Sequence, residues 1–286
     1  LAKHPGIQVA RFLPPRLIPP MLHINLRNHR KLLIVDRDLA YAGGMNIGDR
    51  HLAEDHGNPD RVVDAHFRLQ GPIVGQLQRV FLDGWAFMNR REPEEFPADD
   101  RQVGAAMCRT LVEGPDEDFD KLLNVLVAAV SAAREQVAIM TPYFVPPREL
   151  VGALKAAALR GVEIVVVVPA RNNLPFVHWA STHMMWELLQ RGVRIYLQPP
   201  PFVHTKLLMV DRHYVQVGSA NVDPRSLRLN FELMVEIYDR EFAGTIDGHF
   251  RSARSRSREL SLDDVDSRTL PIRVRDGLCW LLTPYL

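Results

Sequence analysis

The 286-residue sequence is poor in cysteine, in lysine and in net charge, and each shortage narrows what the chain can be. Its two cysteines, Cys108 and Cys279, form no CxxC pair, which excludes a disulfide scaffold and a cysteine-built metal site and points to a reducing compartment. No apolar run approaches the length needed to span a bilayer. A net charge of +1, from 35 basic and 34 acidic residues, excludes a strongly basic coat for nucleic acid. Lysine occupies only positions 3, 31, 121, 155 and 206, so arginine is used almost wherever a cation suffices. With 47% apolar and 24% well-mixed charged residues, the chain is able to build true cores, and its length suits two medium lobes or one large one.

What is present is a repeat. Residues 29–46, HRKLLIVDRDLAYAGGMN, align without a gap on residues 204–221, HTKLLMVDRHYVQVGSAN. His29, Lys31, Asp36, Gly43 and Asn46 fall on His204, Lys206, Asp211, Gly218 and Asn221. Each copy reads as a short apolar strand, a polar turn, a second strand and a glycine turn. The flanks repeat too: GIQVARF (6–12) and GVRIYLQ (192–198) predict strands before the motifs. Strands at 62–69 and 231–238 are expected after them, followed by helices at 72–90 and 241–259.

The copies differ upstream. The second is preceded by a βαβα pattern: helix 117–133, strand 137–144, helix 147–160, strand 162–168 and helix 176–191. The first has no counterpart, a shortfall of about 75 residues for copies built alike. Together with Leu1 at the start, this leads us to expect a fragment lacking an N-terminal portion. The polar, acidic, proline-bearing stretch REPEEFPADDRQ (91–102) marks a boundary between lobes at 1–92 and 103–286, with 103–115 leading into the second.

The repeated residues define a chemistry. One histidine attacks phosphorus as a neutral imidazole while another donates a proton as an imidazolium. A lysine two positions along a strand shares the histidine's face and places a fixed charge where phosphoryl oxygens gain charge. Were any basic residue acceptable there, two lysines would be expected roughly 2% of the time, given 5 lysines among 35 basic residues. Asn46, Asn221 and Ser219 add neutral phosphate-binding donors. Asp36 and Asp211 complete the catalytic motifs, but their odd spacing turns them to the other face, where they are expected to tie down the following turn. Asp64 and Glu232, each on the strand after its motif, are the candidates for orienting the histidines. No metal and no cofactor is expected, since the motif supplies its own positive charge. The histidine pairs 51/56 and 178/183 are five apart and share a helical face poorly. The arginines at 251, 254, 256 and 258 suit a solvated helix end.

The doubled HxKxxxxDxxxxxxGxxN pattern resembles the phospholipase D superfamily. The strings RNHRKLLIVD (27–36), GGMNIGD (43–49), TPYFVPP (141–147), HTKLLMVD (204–211) and SLRLNFE (226–232) are similar to bacterial cardiolipin synthases. The resemblance implies an α/β fold of two similar α/β/α sandwich lobes related by pseudo-twofold symmetry, the first lobe incomplete here. It implies a shared site with a phosphohistidine intermediate: His29 as nucleophile and His204 as general acid and base, or the reverse. The orienting acid would come from the opposite lobe, pairing Asp64 with His204 and Glu232 with His29. The implied reaction converts two phosphatidylglycerols, anionic lipids at a membrane surface, to cardiolipin and glycerol. The implied location is the cytoplasmic side of the bacterial inner membrane. A hydrolase of the same superfamily, a nucleic-acid phosphodiesterase and an inactive lipid-binding module are the competing expectations. Near-neutral charge and two apolar segments, FLPPRLIPPML (12–22) and LCWLLTPYL (278–286), weigh against nucleic acid. Those segments are candidates for membrane contact or for packing.

Overall fold

The structure, a computed structural model, describes residues 4–14, 26–52, 54–93, 101–114 and 120–283. In chain order it contains β1 (Leu32–Val35), β2 (Leu39–Gly43), β3 (Val62–Val63), β4 (His66–Gln70), α1 (Ile73–Asn89) and β5 (Met107–Glu113). There follow α2 (Lys121–Ala132), β6 (Gln136–Met140), α3 (Arg148–Leu159), β7 (Glu163–Pro169), α4 (Pro175–Leu189) and β8 (Arg194–Gln198). The chain continues through β9 (Phe202–Val203), β10 (Leu207–Val210), β11 (Tyr214–Gly218), α5 (Pro224–Arg228), β12 (Glu232–Tyr238) and α6 (Arg240–Ser255). It ends with β13 (Arg258–Leu260), α7 (Leu262–Asp266) and α8 (Leu270–Leu281).

The repeat becomes two meanders of matched register. Leu32 pairs with Ala42 on β1 and β2, as Leu207 pairs with Val217 on β10 and β11. Gly43 pairs with His66 as Gly218 pairs with Met234. That register makes Asp64 and Glu232 structural equivalents although they stand at different distances from their motifs. The first meander is the three-stranded sheet β1-β2-β4; the second is embedded in an eight-stranded sheet ordered β13-β8-β7-β6-β10-β11-β12-β5.

Alternation along the strands assigns the two faces of the large sheet. Leu208, Val210, Ile139, Ile164 and Val166 face a core completed by α2, α3 and α4. Leu207, Met209, Met140, Val165 and Val235 face a second core. That core is shared with Ala40, Ala42 and Leu69 of the first meander and with Leu77 of α1 and Phe250 of α6. The first meander therefore lies against the large sheet and does not form a core of its own.

Four expectations are corrected. Residues 7–11 form no strand. The strand expected over 62–69 breaks at Asp64–Ala65, because Asp64 turns its carboxylate onto the Ala65 N–H and β3 leaves to pair in parallel with β9. The segment 103–115, read as a connection, contains β5, which pairs with β12 at the sheet edge. The last helix of the repeat stops at Ser255, and Arg258–Leu260 turn back to pair with β8. The arginines near that end are engaged locally: Arg251 with Asp247, Arg254 with Glu163, Arg258 with Asp264. Residues 15–22 and 284–286 of the two apolar segments lie outside the described residues. Phe12 packs on Phe87 and Phe231, and Cys279 is buried while Leu278 and Leu281 are exposed. No helix among the described residues is long and apolar enough to cross a membrane.

The repeat also shows which face of the first meander is uncovered. Leu208, Val210, Ala220 and Val222 are buried in the core under α2 and α3. Their counterparts Leu33, Val35, Met45 and Ile47 are exposed. Leu208→Asp is accordingly expected to cost about 3 kcal/mol or more, an unpaired charge in a packed core. Leu33→Asp should stay within about 0.5 kcal/mol. Urea unfolding of the two variants of this chain checks the contrast.

Candidate active site

Each motif histidine is held by the opposite half of the chain. The His29 N–H donates to the Phe231 carbonyl at 2.9 Å, and the His204 N–H donates to the Val63 carbonyl at 2.7 Å. The acceptor in each case immediately precedes an acidic residue. Those acids receive the imidazoles: His29 Nδ1 lies 3.0 and 3.1 Å from the two oxygens of Glu232, and His204 Nδ1 lies 2.7 Å from Asp64 Oδ2. Both carboxylates are almost wholly buried, with side-chain exposures of 0% and 2%. A buried carboxylate on Nδ1 makes that nitrogen the proton donor and leaves the lone pair on Nε2.

The lysines stand on the same faces. Lys31 Nζ donates to the His29 carbonyl at 2.7 Å, and Lys206 Nζ donates to the His204 carbonyl while lying 2.9 Å from His204 Nδ1. Burial, outweighing attraction to Glu232 and Asp64, pulls Lys31 down to about 8. Burial does the same to Lys206, which falls to about 7 with a further push from Lys31. His204 falls to about 4, mainly through burial and partly because both ammonium groups repel a second positive charge. Lys31 feels Asp64 as well as Glu232, and Lys206 feels Glu232 as well as Asp64, so the two motifs share one electrostatic site.

The remaining sequence candidates divide. Ser219, expected to bind phosphate, spends its hydroxyl proton on Glu232 Oε2 at 2.5 Å and accepts the Leu233 N–H, so it is a prop for the carboxylate. Its counterpart is Gly44, where a Cβ would lie 2.4 Å from Asp64 Oδ1; the shorter acid comes so close that no side chain fits. Asn221 is buried beside the site, whereas Asn46 is exposed and its amide lies 3.4 Å from His51 Nε2. Asp211 accepts the N–H groups of Arg134, Glu135 and Gln136 at 2.8–2.9 Å. It therefore anchors the segment entering β6 and not the turn that follows it. Asp36 makes no such contact among the described residues, though Asp36 and Arg37 share the positive φ of Asp211 and Arg212.

Three contributors escaped the sequence reasoning. Asn230 donates to Glu232 Oε1 at 3.2 Å, Arg30 Nε donates to the Glu232 carbonyl, and the His51 ring stands edge-on to His204 with centroids 5.7 Å apart. The string SLRLNFE held the signal for Asn230, two positions before the acid. Among the described residues no group of three or more histidine, cysteine or acidic side chains is placed to hold a metal ion.

Lys206 links the site to stability. Between about pH 7 and 10.5 the unfolded chain holds a proton on this lysine that the folded chain has lost, so stability rises with pH across that window. The cost of burying the charge is complete below about pH 7 and gone above 10.5. Lys206→Met should therefore be more stable than the parent at pH 6, with the difference in denaturant midpoint shrinking toward pH 10.

Comparison with known proteins identifies the family. A family described as cardiolipin synthase, PLD-like domain, matches residues 126–254. The major cardiolipin synthase of Bacillus subtilis is 34% identical over 98% of this chain and 59% of its own length. Cardiolipin synthase A of Pseudomonas putida is 33% identical over 98% of this chain and 58% of its own. The chain thus spans a little over half the length of these relatives. Among solved structures, the phosphatidylserine synthase of Haemophilus influenzae shares the fold, with a TM-score of 0.70 at 16% identity over 92% of this chain and 72% of that one. By its duplicated motifs, its fold and these relatives, the chain belongs to the phospholipase D superfamily, with the bacterial cardiolipin synthases as its curated likenesses.

Proposed function

We propose that the chain carries the catalytic centre of a phosphatidyl transferase that joins two phosphatidylglycerols into cardiolipin, releasing glycerol. One observation carries this: two imidazoles, each with Nδ1 on a buried carboxylate of the opposite half, share one site with two buried ammonium groups. The lysines neutralise the phosphodiester. One Nε2 attacks phosphorus, the other imidazole protonates the departing glycerol oxygen, and a phosphatidyl-histidine remains. In the return step the same imidazole takes the proton of the incoming hydroxyl. Asn221 borders the phosphate, Ser219 and Asn230 steady Glu232, and Asp211 holds the framework. The two lobes of this reading are residues 1–92 and 103–286, working at the surface of the membrane that contains the lipid.

His29 as nucleophile and His204 as general acid and base is the first of the two assignments that the resemblance implies. The exchanged assignment has support of its own. His204 is the more buried imidazole and is pulled down to about 4, which keeps it neutral and ready to attack at pH 7. Digestion after brief reaction with phosphorus-labelled lipid, followed by mass spectrometry, assigns the nucleophile.

Incubation with phosphatidylglycerol separates the activities: cardiolipin plus glycerol supports the transferase, and phosphatidic acid alone supports a hydrolase. His29→Ala and His204→Ala should each lower turnover at least about a thousandfold, because members of a catalytic unit fail together. Near-normal turnover in either variant contradicts a shared site. Chelators should leave the rate intact, since Lys31 and Lys206 supply the charge; strict dependence on a divalent ion would count against the mechanism.

A further inference from the structure

We propose that the cavity beside His29 seats the headgroup of the acceptor lipid, with its glycerol hydroxyls inward and its own phosphate outward against Arg27 and Arg225. This rests on the transferase function above and adds a site to it. The cavity, of about 190 Å³, is lined by His29, Asn221, Asp223, Tyr143, Arg225 and Arg27, with apolar walls that include Leu174 and Val177.

Its polar groups are graded by depth. Asn221 and Asp223 are buried at the inner end. Arg225 is half-buried and Arg27 is exposed, which places the cations toward solvent. Asp223 is committed in part, accepting the Ser226 N–H at 2.7 Å and an Asn221 contact, and a carboxylate keeps further acceptor sites. The Asp223 carboxylate repels a phosphate and suits hydroxyl donors, whereas the outer guanidinium groups suit a phosphate, which they bind in bidentate fashion. A glycerophosphate headgroup matches that order of charges when its terminal hydroxyl faces His29. Water as an acceptor has no use for the outer cations.

At the positions that the repeat aligns, two of the cavity's polar residues differ between the copies. Arg225 aligns with Arg50, but Asp223 aligns with Gly48 and Arg27 with Phe202. Arg50 faces Asp60 on the surface, 3.7 Å away, and Phe202 lies beside His204. Among the described residues, the positions aligned with Asp223 and Arg27 therefore offer neither a carboxylate nor a guanidinium beside the other motif histidine. The duplication supplies two equivalent catalytic motifs, and substitution at these two positions makes one flank an acceptor site.

In the transfer step the acceptor hydroxyl oxygen bonds to phosphorus as the phosphorus–nitrogen bond of the phosphatidyl-histidine breaks. The electron pair returns to that imidazole, and the hydroxyl proton passes to the other one. No further reagent is required.

The test is a product ratio. The protein, with Arg27→Ala and Arg225→Ala combined, is incubated with phosphatidylglycerol in mixed micelles, and cardiolipin and phosphatidic acid are both quantified. The expected result is a fall of at least about tenfold in the cardiolipin to phosphatidic acid ratio, the loss of one strong contact to the acceptor. Arg225→Lys should recover part of it. A ratio equal to that of the parent, whatever the total turnover, overturns the acceptor site. A parent that releases only phosphatidic acid overturns the transferase function itself, and the acceptor site with it.

Discussion

Two imidazole–carboxylate contacts, each made between distant parts of the chain, fix everything else about the site. His29 rests on Glu232 and His204 on Asp64, separated by 203 and 140 residues in sequence. Each contact is doubled by a backbone hydrogen bond from the histidine to the residue just before the acid. Neither half orients its own motif histidine. The reciprocal arrangement makes the candidate site a property of the packed whole, and it binds the two meanders together there.

The site is held at a cost that packing must offset. Two ammonium groups sit largely or wholly out of water, and both are pulled well below the ordinary lysine range by that burial. A charge in such surroundings is tolerated when counter-charges and a rigid frame are present. Glu232 and Asp64 supply the counter-charges. The frame is the eight-stranded sheet, whose two apolar faces are filled by separate cores, one shared with the first meander. Arginine would not replace these lysines: a compact ammonium fits beside the histidine carbonyl, where a planar guanidinium would need more room and more partners.

Duplication with divergence explains the inequality of the halves. Matched register carries the histidine, lysine and acid to corresponding places. Around them the copies have parted: Gly44 against Ser219, Gly48 against Asp223, Phe202 against Arg27. The first meander borrows its core from the large sheet on one face and leaves the other uncovered. The second is covered on both.

Much was legible in the residues alone. Period-two strands, helical periodicity in the second half and an eighteen-residue repeat containing His, Lys, Asp and Asn locate both motifs and most elements, because local pattern reflects which side chains must be buried. Asp64 and Glu232 are legible as acids following the motifs, although Asp64 lies in the break between β3 and β4 and not on a strand. The register that makes them equivalents was not visible, since it depends on strand pairing over unequal loops. Ser219 was misjudged because a hydroxyl's partner is decided by what stands across the sheet, and Glu232 stands there. The strand at 107–113 was missed because an edge strand owes its existence to the neighbour it joins, here β12. Sequence by itself determined the inventory of reacting groups and their duplication, through residue type and spacing along one chain. Only the tertiary structure decided which carboxylate serves which histidine and how far each lysine is desolvated, because both depend on distances between segments that the chain brings together only by folding.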